Sequence, residues 1–184
     1  APYNELAKLA DGAYDFHEMQ EGMPNIYIAL PFVLLAIFYF LSKKINWRHK
    51  LANGILLIFL VASLFWTPLV LIWHLGQFPV WYPGRFSFVL IFFALDLAII
   101  ALKQREKISF WRIGVLILLA IGLIVFITVD SKSFAFLNQN AQTASAAFLA
   151  LGILFIGFIH NRSNFAAPFF CLIIELELIV NLVL

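Results

Sequence analysis

The sequence predicts an all-α protein, a bundle of about six membrane-spanning helices. Three observations carry that prediction. Hydrophobic residues make up 64% of the chain and charged residues 12%, with a mean hydropathy of +0.97, whereas a soluble domain carries roughly a quarter charged residues. The apolar residues gather into six runs divided by short polar stretches. Nine of the twelve Lys and Arg residues fall in alternate stretches, the distribution expected of cytoplasmic loops. Hydrocarbon cannot satisfy free backbone N–H and C=O groups, so helix overrides the strand preference of the many Ile, Val and Phe residues.

The spans follow in order. Residues 1–24 form a polar segment with Glu5, Asp11, Asp15, His17, Glu18 and Glu21, and it lacks the apolar core of a signal peptide. The first span covers residues 25–41, with Pro24 marking its entry. It approaches the roughly 17–25 residues a crossing needs only if Pro24 and Asn25 are counted. The second covers 51–73, the third 86–102, the fourth 113–129, the fifth 143–159 and the sixth 165–184. The fifth is the least apolar, opening on Thr143, Ala144, Ser145 and Ala146. Pro31 and Pro68 lie inside spans and should kink or loosen the helix there. The chain opens on Ala1 and stops at Leu184 within an apolar run, and it reads as a piece of a longer protein.

Lys43, Lys44, Arg48 and Lys50 lie between the first two spans. Lys103, Arg105, Lys107 and Arg112 lie between the third and fourth, and Arg162 between the fifth and sixth. These stretches are expected to face the cytoplasm, which puts residues 1–24, 73–84 and 130–142, and both chain ends, outside. A net charge of +2 with no basic patch argues against a nucleic-acid partner. The lone Cys171 cannot form an intrachain disulfide, and its apolar surroundings predict a buried, inert thiol.

Residues 73–88, WHLGQFPVWYPGRFSF, are the candidate functional stretch. Arg85 stands just before an apolar run. Its permanently charged guanidinium forks onto phosphate oxygens, and at the outer leaflet it is a candidate ligand for a polyprenyl phosphate. The alternative is a topological anchor that snorkels to headgroups. His74 is a candidate proton shuttle or sugar ligand, or a histidine that caps the second helix, and Gln77 adds a second polar group. Trp81 and Tyr82, with Trp66 and Trp73, suit sugar stacking, and equally an interfacial aromatic belt. Gly84 allows close approach of a ligand or another chain.

Asp96, Glu175 and Glu177 lie inside apolar runs, where charge is costly and functional by default. Glu175 is the intramembrane acid candidate, near the middle of the last run with Asn181 beyond it. Glu175 and Glu177 point to different helix faces, so at most one looks inward. The alternative role is a hydrogen-bonded acid that locks helix packing. The external acids match no metal-ligand spacing, so no metal site is assigned.

Several ordered pieces resemble the YfhO family of bacterial integral membrane proteins. They are MPNIYIALPFVLLAIFYFL, then KKINWRHKL, then LIWHLGQFPVWYPGRFSFVLIFF, and the glutamate in LIIELELIVN. The resemblance implies a part of a larger GT-C-like fold, the class of multi-span glycosyltransferases. It implies transfer of a sugar from an undecaprenyl-phosphate carrier, outside the cytoplasm, to a cell-wall polymer such as lipoteichoic or wall teichoic acid. The implied partners are the bilayer, the polyprenyl-phosphate sugar and the polymer acceptor, with no other cofactor evident. Such enzymes place the catalytic acid in their first external loop, which corresponds to sequence upstream of Ala1. By that comparison the chain holds part of a donor site and is inactive alone. A lipid-linked substrate transporter or flippase module, and a non-catalytic scaffold for envelope assembly, are the alternatives.

Overall fold

The computed structural model describes residues 26–77, 84–104, 108–129, 139–159 and 166–183. The described residues form seven α-helices and one π-helical turn, with no strand. They are α1 (Leu30–Leu41), α2 (Trp47–Phe65), α3 (Thr67–Trp73), α4 (Ser87–Lys103), α5 (Phe110–Val129), α6 (Gln139–Leu154) and α7 (Ala166–Val183). The π turn, Phe155–Ile159, continues α6.

Each of the six apolar runs is mostly helical where described, with residues 26–29 of the first run and Trp66 of the second outside helix, and several helices begin earlier than hydropathy alone places them. α2 starts at Trp47 because the Asn46 side chain accepts a hydrogen bond from the Arg48 N–H at 3.0 Å, which supplies one of the donors a helix start leaves orphaned. The second run is two helices rather than one. The chain is extended at Trp66, with φ −107° and ψ 109°, and helix resumes with Pro68 in the first turn of α3. Proline tolerates that position because its missing N–H would have no intrahelical partner there.

α1 is the hub. It packs on α4, α5 and α6, and Leu30, Leu34, Leu35, Phe38 and Tyr39 are all fully buried. α4 meets it with Leu97, Ala98 and Ala101, also fully buried; the alanines let the helix axes come close. Gly152 of α6 does the same on another side. A Cβ there would lie 2.8 Å from Leu34 Cδ1 and 3.3 Å from the Pro31 Cα. At the end of α1, the Lys50 ammonium donates to the Ser42 carbonyl, and Asn53 Nδ2 donates to the buried Tyr39 hydroxyl at 2.6 Å.

The outer faces are apolar. Ile58 is 70% exposed on α2 and Leu118 71% on α5, surfaces suited to lipid rather than water. Among the described residues two helices, Trp47–Phe65 and Gln139–Gly157, are long and apolar enough to cross a membrane by themselves. α1, at twelve residues, extends only about 18 Å, short of a hydrocarbon core of about 30 Å. The non-helical residues 26–29 precede it. Ile26, Ile28 and Ala29 are buried, which suits non-helical backbone at membrane depth. Cys171 departs from expectation: it lies on the exposed face of α7, because the inward positions of that helix are Phe170, Ile173 and Glu177.

Gly152→Val should lower the melting temperature of the detergent-purified protein, at a cost of about 1–3 kcal/mol from overpacking against α1. Gly122, where a Cβ would meet nothing within 4 Å, is the control. Gly122→Ala should hold or raise the melting temperature, since Ala is favoured over Gly in a helix by about 1 kcal/mol. Equal melting curves for the two variants would contradict the close contact.

Candidate functional site

The described part of the candidate stretch is built where α3 ends and α4 begins. α3 closes with paired carbonyl-satisfying bonds: Gly76 N–H donates to the Leu71 carbonyl at 2.7 Å and Leu75 N–H to that of Ile72 at 3.3 Å. This is the Schellman arrangement, which requires a left-handed residue after the cap. Leu75 takes that position with φ 55°, followed by Gly76 at 83°. Its side chain is 95% exposed, so neither packing nor intrinsic preference favours leucine there.

His74 is the cap residue of α3. Its Nδ1 lies 2.8 Å from the Val70 carbonyl. A carbonyl only accepts, so Nδ1 carries the proton and donates. The ring meets Phe86 edge-on at 6.3 Å, and Nε2 is buried with no hydrogen-bond partner among the described residues. Trp73 stacks on Phe86, with ring centroids 4.9 Å apart and planes 3° from parallel. This stack ties the end of α3 to the start of α4 across the intervening loop.

Arg85 stands two residues before α4, exposed. Gln77 is also exposed. Trp81 and Tyr82 lie outside the described residues, as do Asp11, Asp15, His17, Glu18 and Glu21. The structure therefore gathers Trp73, His74 and Phe86 beside the backbone position of Arg85. Among the described residues no group of three His, Cys, Asp or Glu side chains could hold a metal ion.

The intramembrane acids separate clearly. Asp96 and Glu175 lie on exposed faces. Glu177 is fully buried. Its Oε1 accepts from the Leu30 N–H at 2.8 Å and from the Tyr27 hydroxyl at 3.4 Å. Asn181 Nδ2 donates to that hydroxyl at 2.8 Å and to the Glu177 carbonyl at 3.1 Å. Oε2 is buried with no hydrogen-bond partner among the described residues. Glu177 thus locks α7 onto the start of α1, the packing role open to an acid in this run. The signal in the sequence was the Glu177–Asn181 spacing of four, which places both on one helix face.

An apolar groove of about 350 Å³ lies along α1, lined from α2 by Leu57, Val61, Leu64 and Phe65, and from α4 by Leu90, Ile91 and Ala94. Ile26 and Ile28 line it from the segment before α1, and Val115 and Leu119 from α5. Its volume is within the roughly 300–1,000 Å³ typical of ligand sites. Sequence reasoning missed it because every lining residue is of a kind that equally fills a core.

Leu75→Gly should raise stability by about 1–2 kcal/mol by removing the left-handed penalty on a residue with a Cβ. Thermal unfolding of the purified protein checks this. A fall in stability would mean that Leu75 is held by a contact outside the described residues.

No curated protein and no solved structure matches the chain. A family model described as bacterial membrane protein YfhO matches residues 1–184. With its helical architecture and lipid-suited faces, the chain belongs to the YfhO family of bacterial membrane proteins.

Proposed function

We propose that the chain forms the carrier-lipid side of a membrane glycosyl-transfer site, facing away from the cytoplasm. The donor is a sugar on undecaprenyl phosphate, and the acceptor is a cell-wall polymer such as lipoteichoic or wall teichoic acid. The observation that carries this reading is an order along the chain: Arg85 stands two residues before α4, and the groove residues Leu90, Ile91 and Ala94 fall in the first turns of that helix. A lipid with an anionic head and a long apolar chain matches that order of chemistry. The guanidinium takes phosphate oxygens in a fork, and the groove takes the prenyl chain.

In such a transfer the bond between the sugar's anomeric carbon and the carrier phosphate breaks, and a bond to the acceptor hydroxyl forms. The departing phosphate gains negative charge, which Arg85 offsets. The acceptor's proton passes to a carboxylate base, a role that no residue of this chain is assigned. His74 is left with a local task, since its donor is spent on the Val70 carbonyl.

The transporter reading draws on one observation, the break between α2 and α3 at Trp66. Transporters aim the ends of broken helices at their substrates. The buried start of α1 is instead occupied by the chain's own Glu177.

In the full-length protein, Arg85→Ala should lower sugar transfer from the undecaprenyl-phosphate donor by about 10- to 100-fold, the worth of a hydrogen bond to a charged group. Arg85→Lys should recover part of it, keeping the charge without the fork. Transfer measured with a radiolabelled donor in proteoliposomes checks this. Lost lipid movement with intact transfer would favour the transporter, and wild-type behaviour in both assays the scaffold.

A further inference from the structure

We infer that Glu177, acting through Tyr27, is a positioning residue that fixes one wall of the lipid-chain groove. The inference rests on the groove reading above and adds a residue on a helix that does not line the groove. Residues 26–29 are not helical. Ile26 and Ile28 line the groove. Tyr27, between them, turns the other way and meets α7, where its hydroxyl lies 3.4 Å from Glu177 Oε1 and 2.8 Å from Asn181 Nδ2. The same Oε1 takes the Leu30 N–H at 2.8 Å.

Three hydrogen bonds from one turn of α7 therefore hold residues 27 and 30, and with them the two isoleucines that face the groove. A non-helical segment has no helical hydrogen-bond ladder of its own, so its position depends on such outside partners. An apolar residue at 177 would fill space but take away the acceptor of the Leu30 N–H and of the Tyr27 hydroxyl proton. Asn181 keeps the tyrosine hydroxyl oriented by donating to it, so the hydroxyl's own proton is directed at Glu177. The occupant is the prenyl chain of the carrier. The groove lining is wholly apolar, and among the described residues the charge at the head of α4 is the cation Arg85.

The test measures binding of two probes, undecaprenyl phosphate and isopentenyl phosphate, to the purified full-length protein in nanodiscs. The second carries the same phosphate on a chain too short to span the groove. Tyr27→Phe keeps the ring and removes only the hydroxyl. It should weaken undecaprenyl phosphate binding by up to about tenfold, the upper worth of a neutral hydrogen bond, and leave isopentenyl phosphate unchanged. Glu177→Leu should do the same more strongly. Ala94→Phe, which fills the groove from α4, should also weaken the long lipid alone, whereas Arg85→Ala should weaken both probes.

Equal losses for both probes in Tyr27→Phe would mean general damage and would overturn the positioning role. Wild-type binding by Tyr27→Phe alongside weakened binding by Ala94→Phe would overturn it too, while the groove reading stood. Unchanged long-lipid binding by Ala94→Phe would remove the groove reading and this inference with it. Tyr27→Phe keeps the question decidable if Glu177→Leu fails to fold.

Discussion

A carboxylate from the last described helix caps the first. α1 begins inside the protein rather than at a water-facing surface, and a helix start leaves backbone donors without intrahelical partners. In hydrocarbon each such donor costs several kcal/mol if left bare. The chain resolves this at three successive positions. Leu30 N–H goes to Glu177, Pro31 has no N–H to satisfy, and Phe32 N–H turns back to the Ala29 carbonyl at 2.9 Å. At the other end the Lys50 ammonium meets the Ser42 carbonyl. An acid at the start and a base at the end both complement the helix dipole. A twelve-residue helix, marginal by itself in length, is thereby fixed at both termini.

The rest of the bundle is arranged on that helix. α4, α5 and α6 pack on it, and α7 joins through the cap. The contacts are close where residues are small, at Ala98, Ala101 and Gly152. Membrane helices gain little from hydrophobic exclusion, so close van der Waals approach through small residues and buried polar bonds supply the cohesion. Where bulkier side chains of α2 and α4 face α1 without filling the space, the apolar groove remains. The Trp73–Phe86 stack sets where α4 starts, and therefore which of its turns face the groove.

Much of this architecture was legible in the sequence. The six runs became helices because lipid leaves no other choice for apolar segments of that length. Pro68 announced the interruption between α2 and α3, and a helix cap was one of the roles open to His74. Other features were less visible. Asn46 extended α2 four residues beyond its apolar run, because capping rather than hydropathy sets a helix start. Cys171 faced outward, since a uniformly apolar helix has little periodicity from which to read its inner face. Glu175 and Glu177 were separable in principle by helix face, but which of the two looked inward depended on the position of α1.

By itself, then, the sequence determined the all-helical class of the YfhO-family chain and the order of its helices. These follow from composition, run length and side-chain chemistry, all local properties. Tertiary structure alone decided that Glu177 meets Leu30, 147 positions away in the chain, and that Ile26 shares a groove with Leu119. The reason is physical. A buried acid needs a donor and a groove needs opposing walls, and both come from helices whose mutual rotation no local pattern of apolar residues encodes.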